Sequence, residues 1–86
     1  MNLMNIEFMN QSKSEILVII EPSTDEFVLR PKDNIKVELK SLEEIAIVTT
    51  SIIENGNIVI WLPRSTRGRI FINEIHVESF SETRVW

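Results

Sequence analysis

Apolar and polar residues alternate in short segments along the chain, and this alternation predicts strands rather than helices. The clearest case is residues 35–39, where Ile35, Val37 and Leu39 alternate with charged residues. That pattern is typical of a strand with one buried face. Residues 4–8 show the same period of two and predict a first strand with one solvated face.

Residues 16–31 predict two further strands joined by a turn. Residues 16–20 are five consecutive apolar residues, mostly β-branched, and Pro22 follows one residue later. The β-branched content, the brevity and the proline favour a strand over a piece of buried helix. In the next segment Phe27 and Leu29 point one way, while Val28 and Arg30 point the other. Because the first of these strands is apolar on both sides, we expect it to have a covering layer on each side or to lie between neighbouring strands at the centre of a sandwich.

Asn55 and Gly56 are the strongest local signal in the chain. Both residues tolerate a positive φ, and apolar runs flank them, which predicts a β-hairpin with a two-residue type I′ turn. Such a loop pairs Ile53 with Ile58. Trp61 then lies on the face opposite that of Ile58.

The remaining segments are harder to place. Residues 63–69 read as a polar loop. A β-bulge near residues 73–74 would bring Ile70, Ile72, Ile75 and Val77 to one face. Residues 41–44 have the spacing of a capping box, which predicts a single helical turn. Residues 80–86 are too short to assign.

Together these segments predict an all-β fold. About seven short strands with regular turn signals indicate an antiparallel two-sheet β-sandwich of Greek-key type, formed by a single domain over residues 1–86. Its edges need protection from pairing with other chains, and Lys36, Glu38 and Lys40 are predicted to protect one of them.

Composition excludes several chemistries. The chain of 86 residues has no cysteine, so it has no disulfide, thiol nucleophile or zinc–thiolate site. Its one histidine, His76, cannot by itself supply a blue-copper ligand set, and we expect it to face solvent. No metal or other cofactor is predicted. The first residues lack the basic start and continuous apolar stretch of a signal peptide, and no apolar run is long enough to span a membrane. These features predict a cytoplasmic protein that does not enter the membrane.

Charge points to a class of partner. The formal net charge is −4, which favours a basic protein partner over nucleic acid. Candidate partner-binding carboxylates are Asp25 and Glu26 near one turn and the adjacent pair Glu43 and Glu44. Trp61 is a candidate anchor if it faces outward, since an exposed tryptophan buries much area on binding. The alternative is that both faces of its strand are covered and Trp61 belongs to the core.

Three arginines form the one basic concentration. Arg64, Arg67 and Arg69 stand among serine, threonine and glycine residues, a composition that can hold a phosphate through guanidinium and backbone N–H groups. The segment lacks the glycine spacing and lysine of a P-loop. An ordinary solvated loop is the alternative interpretation.

Part of the chain resembles a known pattern. An apolar strand ending in Glu-Pro is followed by a strand ending in Leu-x-Pro, and the residues that carry this likeness are Asn10, Ser12, Glu21, Pro22, Glu26, Leu29 and Pro31. The pattern resembles small bacterial proteins of cupredoxin-like or immunoglobulin-like fold, although Lys32 stands where a glycine usually follows the proline. The likeness is structural and implies no catalytic residue.

In type, the chain also resembles immunity proteins of bacterial toxin systems, including contact-dependent growth inhibition. The first functional hypothesis is therefore a non-enzymatic binding protein that covers the active site of a basic nuclease toxin. The second is a phosphate- or nucleic-acid-binding module that uses the arginines. The third is a self-assembling subunit, a homo-oligomer, whose apolar second face is the interface. An enzyme ranks last, because no nucleophile–base pair is apparent and 86 residues rarely form a substrate cleft between paired carboxylates.

Overall fold

Two four-stranded β-sheets make up most of the molecule. A computed structural model describes residues 2–42 and 47–83. Its elements are β1 (Asn2–Met9), β2 (Ile16–Glu21), β3 (Asp25–Leu29), β4 (Asn34–Ser41), β5 (Thr49–Ile52), β6 (Ile58–Trp61), β7 (Thr66–Ile72), β8 (Ile75–Val77) and the one-turn helix α1 (Phe80–Thr83). Sheet A has the strand order β1-β4-β7-β8, and sheet B has the order β3-β2-β6-β5.

The predicted β-sandwich is confirmed, with eight strands rather than about seven. Neighbouring strands are antiparallel except for β2 and β6, which are parallel. Parallel neighbours cannot be joined by a tight hairpin and need a crossover. Here the chain between them passes through β4 of the other sheet, and this crossover makes the sheet mixed.

The core lies between the two sheets. Side chains at alternate positions point inward, so the predicted burial of Ile35, Val37 and Leu39 is confirmed at 0%, 0% and 1% exposure. These meet the inward residues of the other strands. Among the described residues, the buried apolar core consists of Val18, Ile20, Leu29, Ile35, Val37, Leu39, Ile60, Leu62 and Ile70. Each such side chain contributes roughly 1.5–3 kcal/mol by leaving water.

The prediction that Lys36, Glu38 and Lys40 protect a sheet edge is wrong. Their strand, β4, is an interior strand that pairs with β1 on one side and β7 on the other. Their side chains therefore lie on the outer face of sheet A rather than along its margin. Alternation identifies which face of a strand is wet but not which strands flank it.

The β5–β6 hairpin forms, but its register differs from the predicted one. The predicted turn residues do have positive φ, 62° and 75°. However, Ile53 N–H donates to the carbonyl of Asn57 at 2.8 Å, which closes a loop of three residues, 54–56, instead of two. Ile58 consequently pairs with Ile52 rather than with Ile53.

The predicted polar loop over residues 63–69 is wrong beyond its first half. Thr66 begins β7, and its hydroxyl donates to the carbonyl of Pro63 at 2.6 Å across a short turn. Arg67, Gly68 and Arg69 are therefore strand residues.

The predicted bulge near residues 73–74 is a hairpin turn instead. Asn73 and Glu74 both have positive φ, 50° and 68°, and join β7 directly to β8. In the resulting register Ile72 lies opposite Ile75. Ile70, Ile72, Ile75 and Val77 thus share one face, as expected, but because of the turn rather than an inserted residue.

Two further points concern the ends of the elements. Of the helical turn predicted for 41–44, Ser41 is the last residue of β4 and Leu42 N–H donates to the carbonyl of Ser65 at 3.1 Å. Residues 43 and 44 lie outside the described residues, as do residues 84–86. Within residues 2–42 and 47–83, no helix is long and apolar enough to cross a lipid bilayer.

Candidate functional site

The outer face of sheet B carries an apolar stripe across three strands. Register places Leu17 opposite Val28 and Ile19 opposite Val59, with Trp61 on the next row. The alternate residues of these strands point into the core, so the stripe is apolar surface that the fold itself does not bury. We call Leu17, Ile19, Val28, Val59 and Trp61 the apolar stripe.

Trp61 faces outward, which decides between the two alternatives for this residue. Its exposed fraction is 47%, whereas its neighbours Ile60 and Leu62 are 0% and 5% exposed. Val28, at the other end of the apolar stripe, is 54% exposed. A half-exposed tryptophan on a rigid sheet offers a large apolar area at little cost in conformational entropy.

Two carboxylates border the apolar stripe. Glu26 is exposed and lies opposite Ile19, while Glu21 lies directly beside Trp61. Glu21 Oε1 is enclosed by the protein and accepts no hydrogen bond from the described residues. Glu15 and Arg30, just beyond the far ends of β2 and β3, have opposite formal charges and offset each other. The face is therefore acidic at its Trp61 end.

Asp25 does not belong to this face. Its carboxylate is buried and accepts hydrogen bonds from the Ser23 hydroxyl at 2.6 Å and from the backbone N–H groups of Phe80 and Ser81 at 2.9 and 3.1 Å. The last two bonds cap the start of α1, which lies 55 residues further along the chain. Asp25 is thus occupied inside the fold, and no local pattern in the sequence could have indicated this cap.

The other acidic candidates lie elsewhere. Glu43 and Glu44 are outside the described residues. Of the residues proposed from sequence for partner binding, the structure therefore brings together Glu26 and Trp61. It adds Glu21 and the apolar residues of the stripe, which the two-sided apolar pattern of residues 16–20 could have indicated.

The three arginines do not form one loop. Arg64 lies in the turn before β7, whereas Arg67 and Arg69 lie two residues apart on β7 and face outward from sheet A. Arg69 is already engaged, with its guanidinium 3.4 Å from Glu38 and 3.6 Å from Glu82. This pairing leaves a much smaller basic site than the sequence indicated.

Several charged and aromatic side chains on the outer face of sheet A contact one another. His76 Nε2 lies 2.8 Å from a carboxylate oxygen of Glu82, and its ring centroid lies 5.5 Å from that of Phe71. Lys36 Nζ is 4.7 Å from the Phe71 centroid, a cation–π distance. His76 is exposed on an edge strand, as expected.

An open cleft beside α1 includes His76 and Glu82 in its lining. Ser79, also in the lining, directs its hydroxyl to Ser81 at 2.6 Å rather than to the imidazole. No group of three or more metal-binding side chains comes together among the described residues. His76 and Ser79 therefore each contact another neighbouring side chain, Glu82 and Ser81, rather than each other.

The residues of the resembled pattern have structural roles here. The Asn10 amide donates to the carbonyls of Ser14 and Leu29, both at 2.9 Å, and its oxygen accepts the Ser12 hydroxyl at 2.6 Å. Asn10 thereby ties the loop after β1 to the end of β3. Comparison of the chain with protein-family models, curated proteins and solved structures gave no match.

Proposed function

We propose that this chain is a non-enzymatic binding domain that holds a basic protein partner on the outer face of sheet B. The observation that carries the proposal is the apolar stripe, with Trp61 47% exposed at one end and Glu21 and Glu26 beside it. An apolar centre with an aromatic anchor and a polar rim is the usual composition of a protein interface.

A protein surface suits this face better than a small molecule does. The side chains project from three adjacent strands, which lie about 4.8 Å apart and form a broad surface rather than an enclosed cavity. Small ligands bind in concave sites that enclose most of their surface. A partner of comparable flatness could cover the apolar stripe and Trp61 together.

The charge of the face indicates a basic partner. Glu21 and Glu26 have no cation recorded against them among the described residues, and the whole chain carries a net charge of −4. A lysine or arginine of the partner near Glu21 or Glu26 would complement the negative charge of the face. Complementary charge would also speed association.

Within this class, we propose an immunity protein that neutralises a basic nuclease toxin. A nuclease holds phosphates in a cationic cleft, so an acidic surface can occupy that cleft and exclude the substrate. Net charge and size support this proposal, together with the likeness in type noted above.

The test is capture of the partner from nuclease-treated extract of the source cells. Wild-type protein should retain a basic protein, and Trp61→Ala and Glu26→Lys should each retain much less of it. Arg67→Ala is the matched control, because Arg67 lies on the other sheet and should leave capture unchanged. The captured protein should show nuclease activity that the wild-type chain inhibits and Trp61→Ala does not.

Three results would overturn the proposal. One is capture that depends on Arg64 and Arg67 but not on Trp61, which would favour the phosphate-binding alternative. Another is recovery of nucleic acid instead of a protein when nuclease treatment is omitted. A captured basic protein without nuclease activity would remove the immunity function while leaving the binding face intact.

A further inference from the structure

The open edge of sheet B is uncharged and has exposed isoleucines in and beside it. Its edge strand β5 has the sequence Thr-Thr-Ser-Ile, is exposed at all four positions, and contains no charge. Three isoleucines stand in or beside it: Ile47, Ile52 and Ile53 are 74%, 81% and 44% exposed. An exposed, uncharged edge with several β-branched residues can pair with another strand.

The backbone of β5 presents free hydrogen-bonding groups at this edge. Ile53 N–H bonds to the carbonyl of Asn57, just before β6, and in an antiparallel pair such bonds recur at every second residue. Thr49 and Ser51 therefore bond towards β6, while the N–H and C=O groups of Thr50 and Ile52 point away from it. Among the described residues, no strand pairs with that side of β5.

The other edge of the same sheet is protected. Strand β3 contains Asp25 and Glu26, so two copies of β3 brought side by side would place like charges together. Strand β1 of sheet A carries Glu7, and β8 is only three residues long. Strand β5 is also short, with four residues, but unlike β1 and β3 it carries no charge.

We infer that β5 pairs with β5 of a second copy of this chain. Antiparallel pairing about a two-fold axis at Ser51 would let Thr50 of each copy exchange hydrogen bonds with Ile52 of the other. Because the segment is uncharged, pairing two copies of it brings no like charges together. The two copies have the same acidic charge, which disfavours contact through the Glu21 and Glu26 face but not through this edge.

Such pairing would join the two copies of sheet B into one eight-stranded sheet. A two-fold axis perpendicular to the sheet keeps both outer faces on one side. Thr49 lies opposite Trp61, so each Trp61 would stand one strand from the junction. The dimer does not depend on the proposed function, since Ile52 lies outside the apolar stripe.

A cysteine substitution tests the geometry directly. The chain contains no cysteine, so Ser51→Cys introduces a single thiol, and the two-fold axis would place two such thiols side by side. Directly opposed residues of this kind lie about 4.5 Å apart at Cα, within reach of a disulfide. Mild oxidation should give a covalent dimer of Ser51→Cys. Ser14→Cys, an exposed position in another loop, should form no covalent dimer under the same conditions.

Sedimentation equilibrium provides the second readout. Wild-type protein should sediment at twice the chain mass of 10.0 kDa, and Ile52→Lys at the mass of one chain. Ile75→Lys is the matched control, because Ile75 is a 68% exposed isoleucine on the edge strand of sheet A, and it should remain dimeric.

The inference is overturned if wild-type protein remains monomeric even at about 0.5 mM, a concentration that would reveal weak association. It is also overturned if Ile52→Lys dimerises as well as wild type, or if both cysteine variants cross-link equally. A monomer whose capture of a partner is lost in Ile52→Lys would show that a foreign strand occupies β5, which contradicts pairing with a second copy.

Discussion

Replacing Asp25 by alanine should loosen the end of the sandwich where α1 docks. The Asp25 carboxylate accepts three hydrogen bonds, two from the backbone at the start of α1 and one from the Ser23 hydroxyl. The side chain of Ser81, in the same turn, donates to the carbonyl of Gly68 at 3.1 Å. Asp25 therefore fixes the position of a helix that is too short to be stable by itself.

The magnitude follows from these bonds. Loss of a capping side chain costs about 1 kcal/mol, and each buried donor left without an acceptor costs about 1–3 kcal/mol. The bond from the Phe80 N–H is only partly buried, whereas the bond from the Ser81 N–H is buried and water cannot readily replace it. We expect Asp25→Ala to lower the free energy of unfolding by about 2–4 kcal/mol.

Urea denaturation measures this loss, and hydrogen exchange locates it. The amides of Phe80 and Ser81 should lose protection in Asp25→Ala before those of β4 do. Glu26→Ala is the control, because this exposed neighbour should change stability by less than about 0.5 kcal/mol. Equal midpoints for Asp25→Ala and Glu26→Ala, or unchanged protection at residues 80 and 81, would refute the assigned role of Asp25.

Three other perturbations have definite expected outcomes. Gly68→Val should destabilise by about 2–3 kcal/mol in urea, because a Cβ there would meet Leu62 at 3.2 Å; a wild-type midpoint would contradict this packing. Gly56→Ala should cost only about 1 kcal/mol, from its φ of 75° alone, since the Cβ meets nothing within 4 Å; a much larger loss would mean an unrecognised contact. A hydrogen bond from the Asn73 side chain, and secondly one from the backbone N–H of Arg30, hold the pKa of Asp33 below its usual 3.8. A group whose pKa is lower in the folded than in the unfolded state stabilises the fold above its unfolded-state pKa, and this stability is lost as pH falls through the folded-state pKa. The stability of Asp33→Asn should therefore fall less steeply with acid below about pH 4 than that of wild type. An unchanged pH profile of stability would contradict this role of Asp33.

Local alternation was enough to predict the fold class. The period of two over residues 35–39 specifies one buried face, and the burial of Val37 and its neighbours confirms it. The same pattern says nothing about neighbours in the sheet, and so the edge position predicted for Lys36 and Glu38 was wrong. Strand order is set by long-range packing, which a local pattern does not record.

Positions near turns were the least predictable. The β5–β6 register depends on whether Asn57 belongs to the loop or to the strand, and one carbonyl hydrogen bond decides this. The site shows the same limit. Trp61 could be assigned to a face from its parity, but its exposure depends on whether another layer covers that face. The role of Asp25 depends on residues 80 and 81, far along the chain.

The central claim is that a partner docks on the apolar stripe, and the dissociation constant of the captured partner tests it most directly. Trp61→Ala should raise that constant at least about tenfold, mainly through faster dissociation, as loss of a buried anchor does. Ile75→Ala, a truncation of an exposed apolar residue on sheet A, should leave it within about twofold. Equal constants for wild type and Trp61→Ala, or a larger effect from Ile75→Ala, would contradict docking on sheet B.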